Sequence, residues 1–250
     1  MLVFVPLRIT SIFNPISFVE SGWFTFIFFL SIFTIGVLAY MMKIDKKNIE
    51  IKKNIPLGLI SIGVAVGFFW SISTYYLDES QYDFEWQPVM MAALSILSTI
   101  SFIIMSASFF KGKNLFSKLS FFIFCPVFWF AFDMILFLSI QNENVDNYDI
   151  ALTALFALFF LYFTQVFFTS SKLNITKLLI GLGLPTVALS FVKCVPIAIR
   201  IFDVNDSANL SDVAISDCFM ESFAALFILL VVLEVNKQIS KKSEVLSTSN

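Results

Sequence analysis

The sequence predicts an all-α protein, a bundle of seven helices that crosses a lipid bilayer, and three observations lead to this prediction. Hydrophobic residues make up 58% of the chain and charged residues only 14%, whereas a soluble domain carries roughly 25% charged residues. The mean hydropathy is +0.89, and the apolar residues fall into seven stretches, each near the ~20 residues that span ~30 Å of hydrocarbon. Lysines recur after every second stretch.

The seven predicted spans are separated by short polar segments. They are Gly22–Met42, Pro56–Tyr76, Pro88–Phe110, Leu119–Ile140, Asp149–Thr169, Lys177–Ile199 and Ile215–Asn236. Each is expected to be a helix, because a backbone inside lipid has to satisfy its own hydrogen bonds. Pro126 in the fourth span, and Pro185 and Pro196 in the sixth, predict kinks in those two helices.

The distribution of lysines predicts the orientation of the bundle. Lysines follow the first, third, fifth and seventh spans, which places 13 of the 16 basic residues on one side; they are Lys43, Lys46, Lys47, Lys52, Lys53, Lys111, Lys113, Lys118, Lys172, Lys177, Lys237, Lys241 and Lys242. The opposite side is rich in acidic residues. Because short lysine-rich loops stay in the cytoplasm, we expect the amino terminus outside, the carboxyl terminus inside, and a multi-pass protein of the plasma or inner cell membrane.

The bundle of residues 22–236 is flanked by two short segments. Residues 1–21 are apolar but interrupted by Pro6 and Arg8, which favours an interfacial or re-entrant segment on the outer face over an eighth span or a signal peptide. Residues 237–250 are polar and too short for a domain, and we expect them to form a frayed cytoplasmic tail. The short loops leave no room for a soluble catalytic domain.

Charged residues inside the predicted spans are the main indication of function. Asp133, Lys193 and Glu221 lie in apolar stretches of three different spans, and each is roughly 21–24 Å from the lysine-rich side at 1.5 Å per residue. A charge in the membrane costs about 2.5–3.5 kcal/mol, so we expect these side chains to face one another or a cavity. Asp217 shares a helical face with Glu221, and Arg200 with Lys193, so both join the predicted substrate- or ion-binding set.

This charge set supports two interpretations. Two carboxylates facing one lysine leave surplus negative charge, and a carboxyl group that holds a titratable proton is what a proton-coupled carrier uses. A buried ion pair that only fixes helix packing would give the same sequence. The first interpretation predicts a small secondary transporter or ion-coupled permease for an unidentified solute or ion. The second predicts a sensory or accessory subunit of a larger complex, with the charges acting as ties between helices.

Glycines and prolines indicate hinges. Gly181, Gly183 and Pro185 make the inner half of the sixth span the predicted position of a broken or flexible helix, as in transporters that bind substrate at such breaks. Pro126 and Pro196 are further candidates for hinges or gates.

The second span carries two small residues four positions apart, Gly63 and Gly67. This spacing lets two helices approach closely. We expect it to serve packing within the bundle rather than dimerisation.

Other classes of site are not expected. The chain has no His, and Cys125, Cys194 and Cys218 lack CxxC spacing, so neither a metal site nor a cofactor is predicted. The cysteines are interpreted as small apolar filler, with a disulfide or metal pair as the alternative. An intramembrane enzyme would need a nucleophile and a base, which only Cys194, Cys218 and Glu221 could supply, so we expect no enzyme. The expected partners are the lipid bilayer and other membrane subunits, without nucleic acid.

Overall fold

The computed structural model describes residues 50–77, 86–116, 120–139, 147–168, 175–202 and 212–247. Within these ranges it contains six α-helices and no strand; the helices are α1 (Ile55–Leu77), α2 (Trp86–Lys111), α3 (Cys125–Ser139), α4 (Asn147–Phe167), α5 (Ile175–Phe202) and α6 (Asp212–Ser247). By length and composition, α1, α2, α4, α5 and α6 can each cross a membrane. The all-helical fold is confirmed, and the chain is a multi-pass membrane protein.

Five of the seven predicted spans correspond to these long helices. The first predicted span, Gly22–Met42, and the predicted outer segment 1–21 lie outside the described residues. The fourth, Leu119–Ile140, is divided into a 3₁₀-helix (Ser120–Phe124) and α3, and its apolar helical run is shorter than a full span.

Pro126 explains why the fourth span is divided. It is the second residue of α3, where its missing N–H has no consequence, because the first N–H groups of a helix have no acceptor within that helix. The prediction that Pro126 kinks a continuous helix is therefore wrong; the proline starts one.

Helix α5 is continuous through Pro185 and Pro196. The prediction of a broken helix around Gly181 and Pro185 is therefore wrong for this structure. Helices in a bundle tolerate proline where their neighbours or local adjustment satisfy the freed carbonyl. A hinge at Gly181, Gly183, Pro185 or Pro196 stays a prediction about motion.

Gly183 has a packing role. A Cβ atom at this position would lie 2.7 Å from Val232 Cγ2 on α6 and 3.0 Å from Phe159 Cε2 on α4. Real Cβ atoms essentially never approach a neighbour within 3.0 Å, so an added Cβ would displace the Val232 side chain, and glycine lets α5 approach both helices without that shift.

Helix α6 continues through Ser247, beyond the predicted end of the seventh span at Asn236. The expectation of a frayed tail is therefore wrong as far as Ser247. Lysine, glutamine and glutamate in this segment have high helix propensity, which outweighs the loss of the apolar pattern.

The six helices form a closed ring. Each contacts the next along the chain, and α6 contacts α1.

The two ends of the bundle differ in charge. At one end, α1 and α5 begin and α2 and α6 end. Two hydrogen bonds connect segments at this end: the Asn54 backbone N–H donates to the Phe109 carbonyl at 3.0 Å, and Gln238 Nε2 donates to the Glu50 carbonyl at 3.1 Å. We term this the basic end, because all the lysines of the described helices except Lys193 lie there. The opposite end, which includes Asp149, is termed the acidic end.

Buried aromatic rings fill the middle of the ring of helices. This aromatic core consists of Phe68 from α1, Phe102 and Phe109 from α2, Trp129 and Phe130 from α3, Phe156, Phe159, Phe160 and Phe163 from α4, and Phe227 from α6, each at most 2% exposed. The rings meet across the bundle: Phe102 lies 5.6 Å from both Phe160 and Phe227, centroid to centroid. Such ring pairs contribute about 0.5–1.5 kcal/mol each beyond their buried area.

Gly63 and Gly67 both face α6. A Cβ atom at Gly63 would overlap Phe223 Cδ1, the edge of a ring, whereas at Gly67 it would lie 2.8 Å from Met220 Cα, which is backbone. The two glycines thus lie where α1 approaches α6 and closes the ring.

The close approach of α1 and α6 at Gly67 predicts that an alanine substitution there destabilises the protein, whereas alanine in place of glycine usually stabilises a helix. Gly67→Ala is expected to lower the free energy of unfolding by about 1–2 kcal/mol through overpacking, although Ala normally stabilises a helix interior by about 1 kcal/mol relative to Gly. Chemical denaturation in detergent measures this change. Gly63→Ala is the comparison and should cost less, because the Phe223 ring can turn aside while the Met220 backbone cannot. Equal or greater stability of Gly67→Ala would contradict the close approach of α1 and α6.

Candidate functional site

One lysine joins three helices at the acidic end. Lys193 Nζ on α5 lies 2.8 Å from Glu221 Oε1 on α6 and 3.0 Å from Asp149 Oδ1 on α4. At 2.8 Å the ammonium donates a charge-assisted hydrogen bond to Glu221. The sequence prediction that Lys193 and Glu221 face each other across neighbouring helices agrees with this geometry.

The exposure of the three side chains decreases from Asp149 through Lys193 to Glu221. The exposed fraction is 30% for Asp149, 19% for Lys193 and 8% for Glu221. Asp149 stands at the first residue of its candidate membrane span, Asp149–Phe167, whereas Glu221 is six residues inside Ile215–Ile239, roughly 9 Å deep. The site therefore leads from the rim of the bundle to a nearly buried carboxylate.

Two further carboxylates lie near this site. Asp133 on α3 is half-buried and within electrostatic range of Lys193, Asp217 and Glu221, while the ion pairs of Lys193 are with Asp149 and Glu221. We term Asp133, Asp149, Lys193, Asp217 and Glu221 the charge cluster; it holds four carboxylates for one ammonium.

Asp149 is the residue that the sequence prediction of the site omitted. The sequence places Asp149 only at the start of the fifth predicted span and predicts Asp133 opposite Lys193 instead. Asp149 begins the helix that precedes α5, and sequential helices with a short connection pack side by side. The structure shows that α4 and α5 are in contact. Their proximity in the sequence could therefore have indicated that Asp149 lies near Lys193. Arg200 lies on α5 as predicted, but its side chain is outside the described part of the structure.

Two cysteines adjoin Glu221. The Cys194 thiol donates to Glu221 Oε2 at 3.8 Å, and the Cys218 thiol donates to the Cys194 carbonyl at 3.5 Å. Both are buried free thiols. In the part of the chain that the structure describes, no group of three or more Cys, Asp or Glu side chains is arranged to hold a metal ion. The cysteines thus form a weakly polar wall beside the deeper carboxylate.

Comparison of the chain with models of protein families, with curated proteins and with solved structures gives no match.

Proposed function

We propose that this membrane protein is a small ion-coupled carrier in which the charge cluster binds protons. The observation that carries the proposal is the ion-paired group at the acidic end, in which one ammonium, Lys193 Nζ, lies within 3.0 Å of two carboxylates, Asp149 and Glu221. Full ionisation of these carboxylates within a bundle of apolar helices is costly. Proton uptake by one or more of them relieves that cost, so the cluster is suited to bind and release protons. The proposal gives it a binding role and no catalytic one.

The graded exposure of the cluster supports proton access. Asp149 and Lys193 are both more exposed than Glu221, and Lys193 contacts both carboxylates, so a chain of polar groups connects the surface of the bundle with the buried carboxylate. The hydrogen bond that Lys193 donates favours the charged form of Glu221, and the attraction between the two side chains weakens when Glu221 is protonated. The ion pair is therefore the part of the site that a transport cycle would make and break.

The aromatic core supports a carrier rather than an open channel. Its rings from five helices fill the middle of the bundle on the side of the cluster that faces the basic end. Passage of a solute would require helices to move relative to one another, as in alternating access. The solute itself is not identified by these residues.

An accessory or sensory subunit is the second candidate, because the two ion pairs also join α4, α5 and α6 mechanically. Under this proposal the cluster holds the helices in register and stays ionised, and function depends on other membrane subunits. Buried ion pairs can serve this purpose without adding net stability.

Charge movement after a pH jump tests the carrier proposal without knowledge of the solute. Protein reconstituted in liposomes on a solid-supported membrane should give a transient current when the external pH is lowered, because protons enter the cluster. Glu221→Gln is expected to reduce the transferred charge at least tenfold, since it removes the deeper proton acceptor. Glu50→Gln is the control: Glu50 is exposed and lies at the basic end, so its substitution should leave the current unchanged.

Two results would oppose the carrier. A wild-type current no larger than that of protein-free liposomes, or an undiminished current in Glu221→Gln, would remove the proton site and favour the accessory subunit. Melting temperatures of both variants in detergent, expected within a few degrees of wild type, separate loss of charge movement from loss of the fold.

A further inference from the structure

A second site lies at the basic end, far from the charge cluster. A cleft of about 550 Å³ opens between the start of α1 and the carboxyl half of α6; it is lined by Lys52, Lys53, Asn54, Ile55, Pro56, Glu234, Lys237 and Gln238. This volume is within the range of small-molecule binding sites, roughly 300–1,000 Å³. The proposed carrier function does not use any of these residues.

The cleft is positively charged and its framework is fixed by hydrogen bonds. It contains three lysines and one carboxylate. Glu234 accepts hydrogen bonds from Asn54 Nδ2 and Gln238 Nε2, each at 3.1 Å, so its oxygens are occupied by amides of the wall. The lysine ammonium groups remain as the charges that a ligand can meet, and ammonium groups bind phosphate as point charges.

The cleft lies at the boundary between membrane and water. Ile55 is the first residue of one candidate span, Ile55–Thr74, and Gln238 is the last but one of another, Ile215–Ile239. Phospholipid headgroups occupy this depth. The lysine distribution predicts that this is the cytoplasmic side, whose leaflet carries anionic lipids.

An apolar stripe leaves the cleft along α1. Its members recur every three or four residues on one helical face and are 42–67% exposed; they are Ile55, Leu59, Ile62, Val66 and Phe69. Residues at this spacing lie above one another on a helix. The stripe therefore offers a continuous apolar track from the cleft toward the middle of the membrane, parallel to an acyl chain.

We propose that the cleft binds the phosphate group of an anionic membrane phospholipid, with Lys53 and Lys237 beside the phosphate and an acyl chain along the α1 stripe. The phosphate chemistry alone would also suit a soluble phosphate ester. The apolar stripe and the position at the membrane boundary favour the lipid.

Ligand-dependent thermal stability of the purified protein in a neutral detergent tests the proposal. Dioctanoyl phosphatidic acid should raise the unfolding temperature in a saturable manner, while dioctanoyl phosphatidylcholine, which is zwitterionic, should have little effect. The double variant Lys53→Gln/Lys237→Gln is expected to weaken binding of phosphatidic acid roughly 30-fold, since each lysine near an anionic lipid contributes about a fivefold change. Lys111→Gln/Lys177→Gln is the matched control, with the same charge change at the basic end and no residue in the cleft.

Glu234→Gln provides a test in the opposite direction. It removes the one carboxylate of the cleft and keeps a side-chain oxygen that can accept from Asn54 or Gln238, so binding of phosphatidic acid should strengthen roughly threefold. Unfolding temperatures without lipid establish that each variant is folded.

Three results would overturn the proposal. Equal weakening by the control pair would show only general attraction between lysines and anions, and equal binding of phosphatidylcholine would show that charge is not recognised. Competition by glycerol 3-phosphate at the same concentration as phosphatidic acid would assign the cleft to a soluble phosphate ester rather than a lipid. Loss of this site would leave the pH-jump current of the charge cluster unchanged, so the two proposals fail separately.

Discussion

Phe160→Ala is expected to lower the free energy of unfolding by about 3–5 kcal/mol, the usual cost of truncating a buried phenylalanine. Six rings surround Phe160 at centroid distances of 5.6–6.5 Å; they belong to Phe102, Phe130, Phe156, Phe159, Phe163 and Phe227. Since lipid solvates apolar side chains as well as protein does, helix association in a membrane depends on van der Waals packing. Removal of the ring leaves a cavity that these neighbours, which come from α2, α3, α4 and α6, cannot all fill.

Denaturation by sodium dodecyl sulfate in mixed micelles measures this change. Leu158→Ala is the matched control, because Leu158 is on the same helix and 43% exposed, and it should change stability by only about 0.5 kcal/mol. A similar small change in both variants would mean that the aromatic core does not hold the bundle together.

Lys193→Met is expected to destabilise the protein by about 3 kcal/mol at alkaline pH and much less at acidic pH. The substitution keeps the length of the side chain but leaves Glu221 and Asp149 without their ammonium, and an unpaired buried charge is costly. Protonation of Glu221 removes that charge. Because the folded variant then binds more protons than the unfolded chain, its stability falls as pH rises. Thermal unfolding in detergent at several pH values gives the slope.

The double variant Lys193→Met/Glu221→Gln separates the two proposed functions. A carrier site that water reaches predicts that the single variant folds at acidic pH and that the double variant loses the pH slope. A structural tie predicts that the single variant is unfolded at every pH and that the double variant restores it. Asp149→Asn should have a smaller effect than either, because Asp149 is the most exposed member of the ion-paired group.

The hydropathy of the chain predicted the long helices well and the fourth span poorly. Stretches such as Pro88–Phe110 are bounded by polar residues, and the helix Trp86–Lys111 differs from the prediction by only two residues at its start and one at its end. Hydropathy does not distinguish a 3₁₀ turn from an α-helix, since Ser120–Phe124 is as apolar as the helix that follows. The start at Cys125 depends on backbone geometry before Pro126.

The charge cluster was predicted in part, because depth can be counted along a helix but rotation about its axis cannot. Lys193 and Glu221 were placed at the same depth and do meet. Asp133 was placed at that depth too, yet the rotation of α3 and α4 brings Asp149 to the ammonium instead. The basic cleft was not predicted, because it needs residues 52–56 and 234–238 to be adjacent, and nothing in the linear sequence indicates that α6 returns to α1.

The aromatic core has an electrical consequence. The rings of the aromatic core carry one polar group, the Trp129 Nε1–H, which is bonded to Ser95 Oγ at 2.7 Å, so the layer is a poor conductor, and moving an ion into an apolar medium costs on the order of 20 kcal/mol in the idealised case. A voltage applied across the membrane therefore falls mainly over this layer, while Asp149 and Lys193 share the potential of the solution at their own end. Proton binding at Glu221, which is six residues inside its span and so roughly 9 Å deep, should move charge through only a small part of the field, as a transient current, whereas any step that carries charge past Phe160 should be steeply voltage-dependent.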